Sequence, residues 1–389
     1  MIRSEGVRRT FVASVLAAAL ALPSLGQACT SLLYFDANGA PYAGRTMELP
    51  MELPYQATYF PAGTAFGSKA DNHPVLSFQG KHSFISITVP DPITHDLKVV
   101  EGLNEKGMTF SVLAYASTEG PKDMTEKTKA VLAAIDLGAW ALSQFATVAE
   151  VKAALAEQPV MVTALLPEGL LKTPFHYTLH DATGASLVIE FANGKQQVIE
   201  NPVGVMTNGP EFSWHMTNLN NYTFLSNKDQ SKLEIRGREF QQPDSGIATV
   251  ALPASNTSVG RFVRAVYYSN FAEKATTPDR AVATLAHVMN NFDRPRGITI
   301  DERFEGAIEN VASPGITGEP LYISEYTSWT ALHDLRRLRL HVRSYGDVNY
   351  IAFDLAELMK GSQKKTVKLS DIPVGVTNAS EVLSKAAGT

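Results

Sequence analysis

The stretch on which the fold turns is Cys29-Thr30-Ser31-Leu32-Leu33-Tyr34-Phe35-Asp36-Ala37-Asn38-Gly39-Ala40-Pro41-Tyr42-Ala43-Gly44-Arg45-Thr46-Met47-Glu48. Thr30 to Phe35 is apolar and β-prone, Asp36 to Gly39 carries turn residues, and Tyr42 to Met47 returns. This spacing predicts a β-hairpin. Its first residue is the only cysteine among 389 residues. No disulfide can form within such a chain, so its core must hold the fold.

Upstream of the hairpin the chain reads as a leader. Arg3, Arg8 and Arg9 make a positive start, Phe11 to Leu22 is apolar, and Gly26-Gln27-Ala28 supplies the small residues a signal peptidase requires. The apolar run is too short for a permanent membrane helix. Arg8-Arg9-Thr10-Phe11-Val12 resembles a twin-arginine export signal. The expected organisation is a signal peptide over residues 1–28 and a single domain over residues 29–389, exported to the periplasm by the Sec or twin-arginine route. A cut after Ala28 would make Cys29 the first residue. Three readings of Cys29 then stand side by side: a nucleophile, an attachment point for lipid, or an inert buried thiol. A lipoprotein signal calls for a large aliphatic residue three places before the cysteine, where this chain has Gly26.

Downstream, Ser83 to Val89 and Lys98 to Ser117 read as strands with a tight turn at Asn104 to Gly107. Apolar residues at helical spacing predict a helix over Thr125 to Phe145, and Thr147 with Glu150 forms a capping box for the next. A strand meander is expected over Phe175 to Val205, its last strand spanning Gln196 to Val205. Helices follow at Val259 to Ala272 and Thr277 to Asn291, and strands at Leu321 to Trp329, Leu338 to Arg343 and Val348 to Phe353. Strands, then helices, then strands fit stacked sheets covered by helices better than alternating βαβ units.

Composition narrows the chemistry. A net charge of -5 and a pI near 6.0 speak against nucleic-acid binding. No basic run follows the leader, so attraction to acidic membranes is not expected once the signal is removed. The sequence lacks a Gly-x-Ser-x-Gly elbow, a His-Glu-x-x-His motif, a phosphate loop and a clustered His/Cys set. His82, His176, His180 and His215 read as ordinary core or surface residues rather than ligands.

A terminal cysteine has one chemical advantage, because its own α-amine can act as base. The amine titrates near about 7.7–8.0 and a thiol near about 8.5, so proton exchange between them is almost balanced. Arg45, across the hairpin, is either a cation that favours the thiolate or a solvated strand-edge arginine. Glu48 either holds the ammonium or lies on the surface. Asn208, in Thr207-Asn208-Gly209-Pro210, is a candidate oxyanion donor, although asparagine in a turn is commonly structural. Arg261, at a helix start, either organises buried carbonyls or faces solvent.

In order along the chain, Cys29-Thr30-Ser31, Gly44-Arg45-Thr46-Met47-Glu48, Gly102-Leu103-Asn104-Glu105-Lys106-Gly107-Met108, Gly204-Val205-Met206-Thr207-Asn208-Gly209-Pro210, Asn218-Leu219-Asn220-Asn221-Tyr222, Gly260-Arg261-Phe262-Val263 and the run from Glu325 to Thr330 resemble the choloylglycine hydrolase family. That family contains bile salt hydrolases and penicillin V acylases and belongs to the N-terminal nucleophile hydrolases. The resemblance implies an α+β fold, a four-layer αββα sandwich, and no cofactor or metal. It implies Cys29 as nucleophile and Arg45 against the thiolate. Asn208 with the backbone N–H of Tyr115 would form the oxyanion hole, and Arg261 would tie the network together. Glu48 stands where the family usually has aspartate beside the amine. Tyr115 stands where bile salt hydrolases commonly carry asparagine and penicillin V acylases tyrosine. The expected reaction is cleavage of a linear amide of the penicillin V type, extending to acyl-homoserine lactones; conjugated bile acids are the alternative substrates. Family members are often homotetramers. A lipid-anchored exported binding protein is the reading from another class.

Overall fold

The computed structural model describes residues 28–91, 94–121, 129–163, 174–300, 324–375 and 380. Residues 1–27, where a signal peptide is expected, lie outside them. Two antiparallel sheets stack face to face. The first, which carries the nucleophile candidate, has six strands in the spatial order Val205–Met206, Cys29–Phe35, Pro41–Leu49, Tyr326–Asp334, Arg339–Ser344 and Ile351–Asp354. The second has eight: Lys195–Glu200, Ser186–Ala192, Phe175–His180, Thr109–Ala114, Leu97–Asn104, Phe84–Pro90, Gln56–Phe60 and Lys365–Lys368. Helices Ser258–Phe271 and Pro278–Asn290 cover the first sheet, while Leu137–Gln144 and Val148–Glu157 cover the second. The result is the αββα sandwich. With helices outside and a partner sheet inside, the central strands are buried on both faces, as in Cys29–Phe35 and Ser186–Ala192.

The opening hairpin forms as its sequence requires. Asp36 Oδ1 accepts from the N–H groups of Asn38 and Ala40, each at 2.8 Å, and Gly39 takes φ 68° at the turn. Cys29 pairs with Met47 and Ser31 with Arg45. Strand alternation therefore turns Cys29, Ser31, Arg45 and Met47 toward the second sheet, and Gly44, Thr46 and Glu48 the other way. Gly44 lies under the helix Pro278–Asn290, where an added Cβ would stand 2.6 Å from Met289 Sδ.

Two expected elements are corrected. The predicted helix over 125–145 is α-helical only at Leu137–Gln144, preceded by a 3-10 turn at Ala134–Asp136; residues 122–128 lie outside the described chain. Leu132–Ala133 pairs in parallel with Val160–Met161, and Ala133 N–H donates to Ser68 Oγ at 2.8 Å. The run Val131 to Ala134 is buried throughout, so a helical period existed in the sequence but both faces of the segment were already in demand. The expected strand from Gln196 to Val205 ends at Glu200. A turn with Gly204 at φ 64° carries the chain across to the first sheet as Val205–Met206. This crossing delivers Asn208 to Cys29. The helices expected at 259–272 and 277–291 appear at Ser258–Phe271 and Pro278–Asn290, each capped by a threonine, Thr257 and Thr277. Of the late strands, residues 321–323 lie outside the described chain and the first strand runs on to Asp334. The fold subsumes no helix long and apolar enough to cross a membrane among the described residues.

Candidate active site

Cys29 opens its strand, 2% exposed, at the seam between the sheets. Its backbone nitrogen donates to Asn208 Oδ1 at 2.7 Å. Arg261 Nη2 donates to the same oxygen at 2.7 Å, and Asn208 Nδ2 donates to the Ala114 carbonyl at 2.8 Å. Two donors on one side and a carbonyl on the other fix which way the Asn208 amide faces. One Nδ2 hydrogen remains for another acceptor. Arg261, projecting from the first turn of its helix, also donates to the Cys29 carbonyl, to Thr30 Oγ1 at 2.8 Å and, through Nε, to the Asn256 carbonyl at 3.0 Å. Arg261 is thus a buried organiser of carbonyls rather than a solvated residue.

The sulfur faces Arg45, whose Nη2 lies 3.7 Å away, and Met47 Sδ at 3.9 Å. Arg45 is itself held in place: Nη2 donates to the Val112 carbonyl, Nε forms an ion pair with Glu101 at 3.2 Å, and the guanidinium lies 4.7 Å over the Trp329 ring. Glu101 Oε1 in turn accepts from Ser111 Oγ at 3.0 Å and bonds His333 Nε2 at 2.8 Å. Burial pushes the Cys29 thiol above its ordinary value; the Arg45 charge and the Ala114 N–H oppose that shift, while the Glu48 charge adds to it.

The Ala114 amide corrects an expectation. The oxyanion donor assigned to Tyr115 is not free, because Tyr115 N–H donates to the Pro174 carbonyl at 2.7 Å. Ala114 sits opposite Phe175 in the ladder, so its N–H and C=O point out of that pair toward the nucleophile. The Ala114 backbone N–H is one of two, with that of Glu48, whose pull on the Cys29 thiol opposes the burial penalty. Sequence alone could not choose between neighbours, since a slip of one residue reverses the direction of the amide. Tyr115 stays close: its ring stacks on His176 at 4.9 Å and would lie 3.6 Å from a Cβ at Gly209.

Glu48 is fully buried, not on the surface. Its Oε1 accepts from Thr327 Oγ1 at 3.2 Å, its Oε2 has no hydrogen-bond partner among the described residues, and its N–H donates to the Ala28 carbonyl at 3.0 Å. The Cys29 nitrogen is bonded to Asn208 instead. Burial raises the Glu48 carboxyl to about 7, against the lowering pull of Arg261 and Arg294. Glu325, which pairs with Arg294 at 2.6 Å, also faces Ala28 and is likewise raised by burial. Ala28 therefore occupies the ground beside two carboxylates while it remains attached.

The residues that the sequence reading passed over are structural neighbours in space only: Glu101, Ala114, Trp329, His333, and the histidines His176 and His215 that were read as ordinary core. Among the described residues no group of three or more His, Cys, Asp or Glu side chains is arranged to hold a metal.

A sandwich of this order, with a buried cysteine opening a central strand, has the architecture of the N-terminal nucleophile hydrolases. The sequence pattern of the linear amide C-N hydrolases, choloylglycine hydrolase family, matches residues 29–311. The chain belongs to that family and is a linear-amide hydrolase. It is 25% identical over 343 residues to the bile salt hydrolase/transferase of Clostridium perfringens, covering 87% of this chain and 96% of that protein. It is 27% identical over 375 residues to the penicillin V acylase of Pectobacterium atrosepticum, covering 92% and 89%. Its fold matches a conjugated bile acid hydrolase from C. perfringens with TM-score 0.74 at 22% identity, over 90% of this chain and all of that one. The penicillin V acylase from Agrobacterium tumefaciens matches with TM-score 0.67 at 23% identity, over 88% and 92%.

Proposed function

We propose that Cys29, freed by a cut after Ala28, is the nucleophile and that its own α-amine is the base. The observation that carries this reading is the Cys29 nitrogen held on Asn208 Oδ1 while the sulfur lies between Arg45 and the Ala114 amide. The thiol passes its proton to the α-amine and the sulfur attacks the scissile carbonyl. The oxyanion is received by Ala114 N–H and by the remaining Nδ2 hydrogen of Asn208. The ammonium then protonates the leaving amine, and water resolves the thioester with the amine again acting as base. While Ala28 is attached the nitrogen is an amide, which cannot do this work. Release of Ala28 would also place an ammonium beside the unpartnered Glu48 oxygen. Extending the N-terminus by one residue should abolish turnover with the fold intact, and Cys29→Ser should lose most activity.

For the acyl group, the preferred reading is an apolar or aromatic one of the penicillin V type. The Tyr115 ring beside Asn208-Gly209 supports it, as does the similarity to a penicillin V acylase along nearly the whole chain. The comparable similarity to bile salt hydrolases keeps conjugated bile acids as the second reading. A panel of penicillin V, glycine- and taurine-conjugated bile acids and acyl-homoserine lactones on the processed enzyme decides it. Faster turnover of bile conjugates than of penicillin V reverses the ranking. Intact mass of the mature protein tests export and processing together: a start at Cys29 is expected, whereas a lipid mass on Cys29 would leave the amine and thiol blocked.

Assembly into a homotetramer is part of the proposal. Strands Lys232–Ile235 and Arg238–Gln241 form an isolated two-stranded ribbon with Leu233, Ile235 and Phe240 exposed. Such a ribbon is marginal in water unless something packs on it, and a second copy of the chain is the occupant we favour.

A further inference from the structure

Two histidines from different elements grip successive carbonyls of the segment that carries Asn208. His215, on the helix Phe212–Asn218, approaches the Asn208 carbonyl with Nε2 at 2.9 Å. His176, on the strand Phe175–His180 of the second sheet, approaches the Thr207 carbonyl with Nε2 at 2.9 Å. A carbonyl oxygen only accepts, so both Nε2 atoms carry hydrogen.

The two rings differ at their other nitrogen. His215 Nδ1 has no hydrogen-bond partner among the described residues, and burial pushes this ring down to about 4, so it is neutral. His176 Nδ1 faces Glu190 Oε1 at 3.1 Å. Both Glu190 oxygens accept from the Phe212 N–H, at 3.0 and 3.1 Å. One hydrogen therefore lies between His176 Nδ1 and Glu190 Oε1. Flipping the ring would set two carbons against two acceptors. With that hydrogen on the ring, His176 is an imidazolium facing a carboxylate; with it on Glu190, both groups are neutral. Tyr115 stacks on the His176 ring at 4.9 Å and 1° between planes, an arrangement in which an aromatic face meets a cation. The other charged or titratable groups in electrostatic reach of this cluster are Glu211 and Arg261.

We propose that His176 is a positioning residue, held as an imidazolium by Glu190, that clamps the Thr207-Asn208 backbone so that the Asn208 amide meets the developing oxyanion. A wholly buried charge pair is costly to desolvate and is weak as a source of stability alone. This pair joins the second sheet to the end of a two-residue strand that has only Ser31 and Leu32 as ladder partners. Without the clamp, Asn208 would rest on the Ser258 hydroxyl and His215 on its backbone side.

This inference rests on reading Asn208 as an oxyanion donor, and the test keeps the two apart. Ring-nitrogen NMR of the processed enzyme labelled with 15N-histidine should show His176 protonated at both nitrogens near neutral pH, the assignment coming from loss of its signals in His176→Gln. A ring with one bare nitrogen overturns the proposal without requiring any variant to be active. With penicillin V as probe, or the amide from the panel turned over fastest, His176→Gln and Glu190→Gln should lower kcat at least 30-fold. KM should stay within threefold, and iodoacetamide should still alkylate Cys29, because the sulfur and Arg45 are not part of the clamp. Wild-type kcat in both variants, with Asn208→Ala inactive, rejects the clamp and leaves the oxyanion reading standing. An active Asn208→Ala rejects that reading itself.

Discussion

At the scale of single residues, the site is a set of buried charges whose neighbours set their titration. Arg45 is the cation that opposes the burial penalty on the Cys29 thiol. Arg45→Gln should raise the pH midpoint of Cys29 alkylation by about one unit or more, and an unmoved midpoint would show that the guanidinium does not stabilise the thiolate. Glu48 makes the opposite kind of prediction. Its carboxyl titrates at about 7 in the folded, uncut chain and near about 4.3 when unfolded. Between those values the native state binds the extra proton, so stability present below the lower value is lost as pH rises through the upper one. The uncut chain should lose on the order of 3 kcal/mol between pH ~4.5 and pH ~7.5 from this group, and Glu48→Gln should remove that slope in urea titrations at several pH values. Glu101 was invisible as the partner of Arg45 in the sequence, and His333 as the partner of Glu101, since these strands lie far apart along the chain and meet only through strand pleat and sheet stacking.

Secondary elements explain why some of the site was legible and some was not. The hairpin at Cys29 and the helices after Thr257 and Thr277 follow from local chemistry: turn residues, caps and apolar period act over a few residues. The segment before Gly138 did not, because its pairing with Val160–Met161 depends on a distant partner. Gly138 itself marks how closely its helix approaches the second sheet. A Cβ there would stand 2.6 Å from Val99 Cγ1, 2.7 Å from Val99 Cβ and 2.8 Å from Phe110 Cε1. Val99 is stiff and part of a strand, so it yields poorly. Gly138→Ala should cost about 1–3 kcal/mol as overpacking, measured as a fall in the thermal midpoint. A midpoint equal to wild type would mean that the helix can lift from the sheet at no cost. The Ala114–Tyr115 assignment belongs to this scale too. The motif located the strand end, but the ladder with Phe175 decided which of two adjacent amides turns inward.

For the molecule as a whole, the two sheets meet at the nucleophile: the first sheet and its covering helix gather Cys29, Arg45, Asn208 and Arg261, and only the stacking of the second sheet adds Ala114 and Glu101. If the exposed ribbon at 232–241 is an assembly surface, Phe240→Glu should convert an oligomer to a smaller species in sedimentation velocity while leaving the thiol site intact. A wild-type monomer at micromolar concentration would dismiss the assembly reading. What the amino-acid sequence determined by itself was the lone cysteine, the hairpin it opens, and the ordered segments containing Arg45, Asn208 and Arg261, because caps, turns and motifs are written in neighbouring residues. What only the tertiary structure decided was which backbone amide faces the sulfur, that Glu48 is a buried carboxyl with one unpartnered oxygen, and that His176 and His215 hold successive carbonyls of the same segment. Those are properties of direction and burial, set when strands far apart in the chain pair and two sheets close on each other.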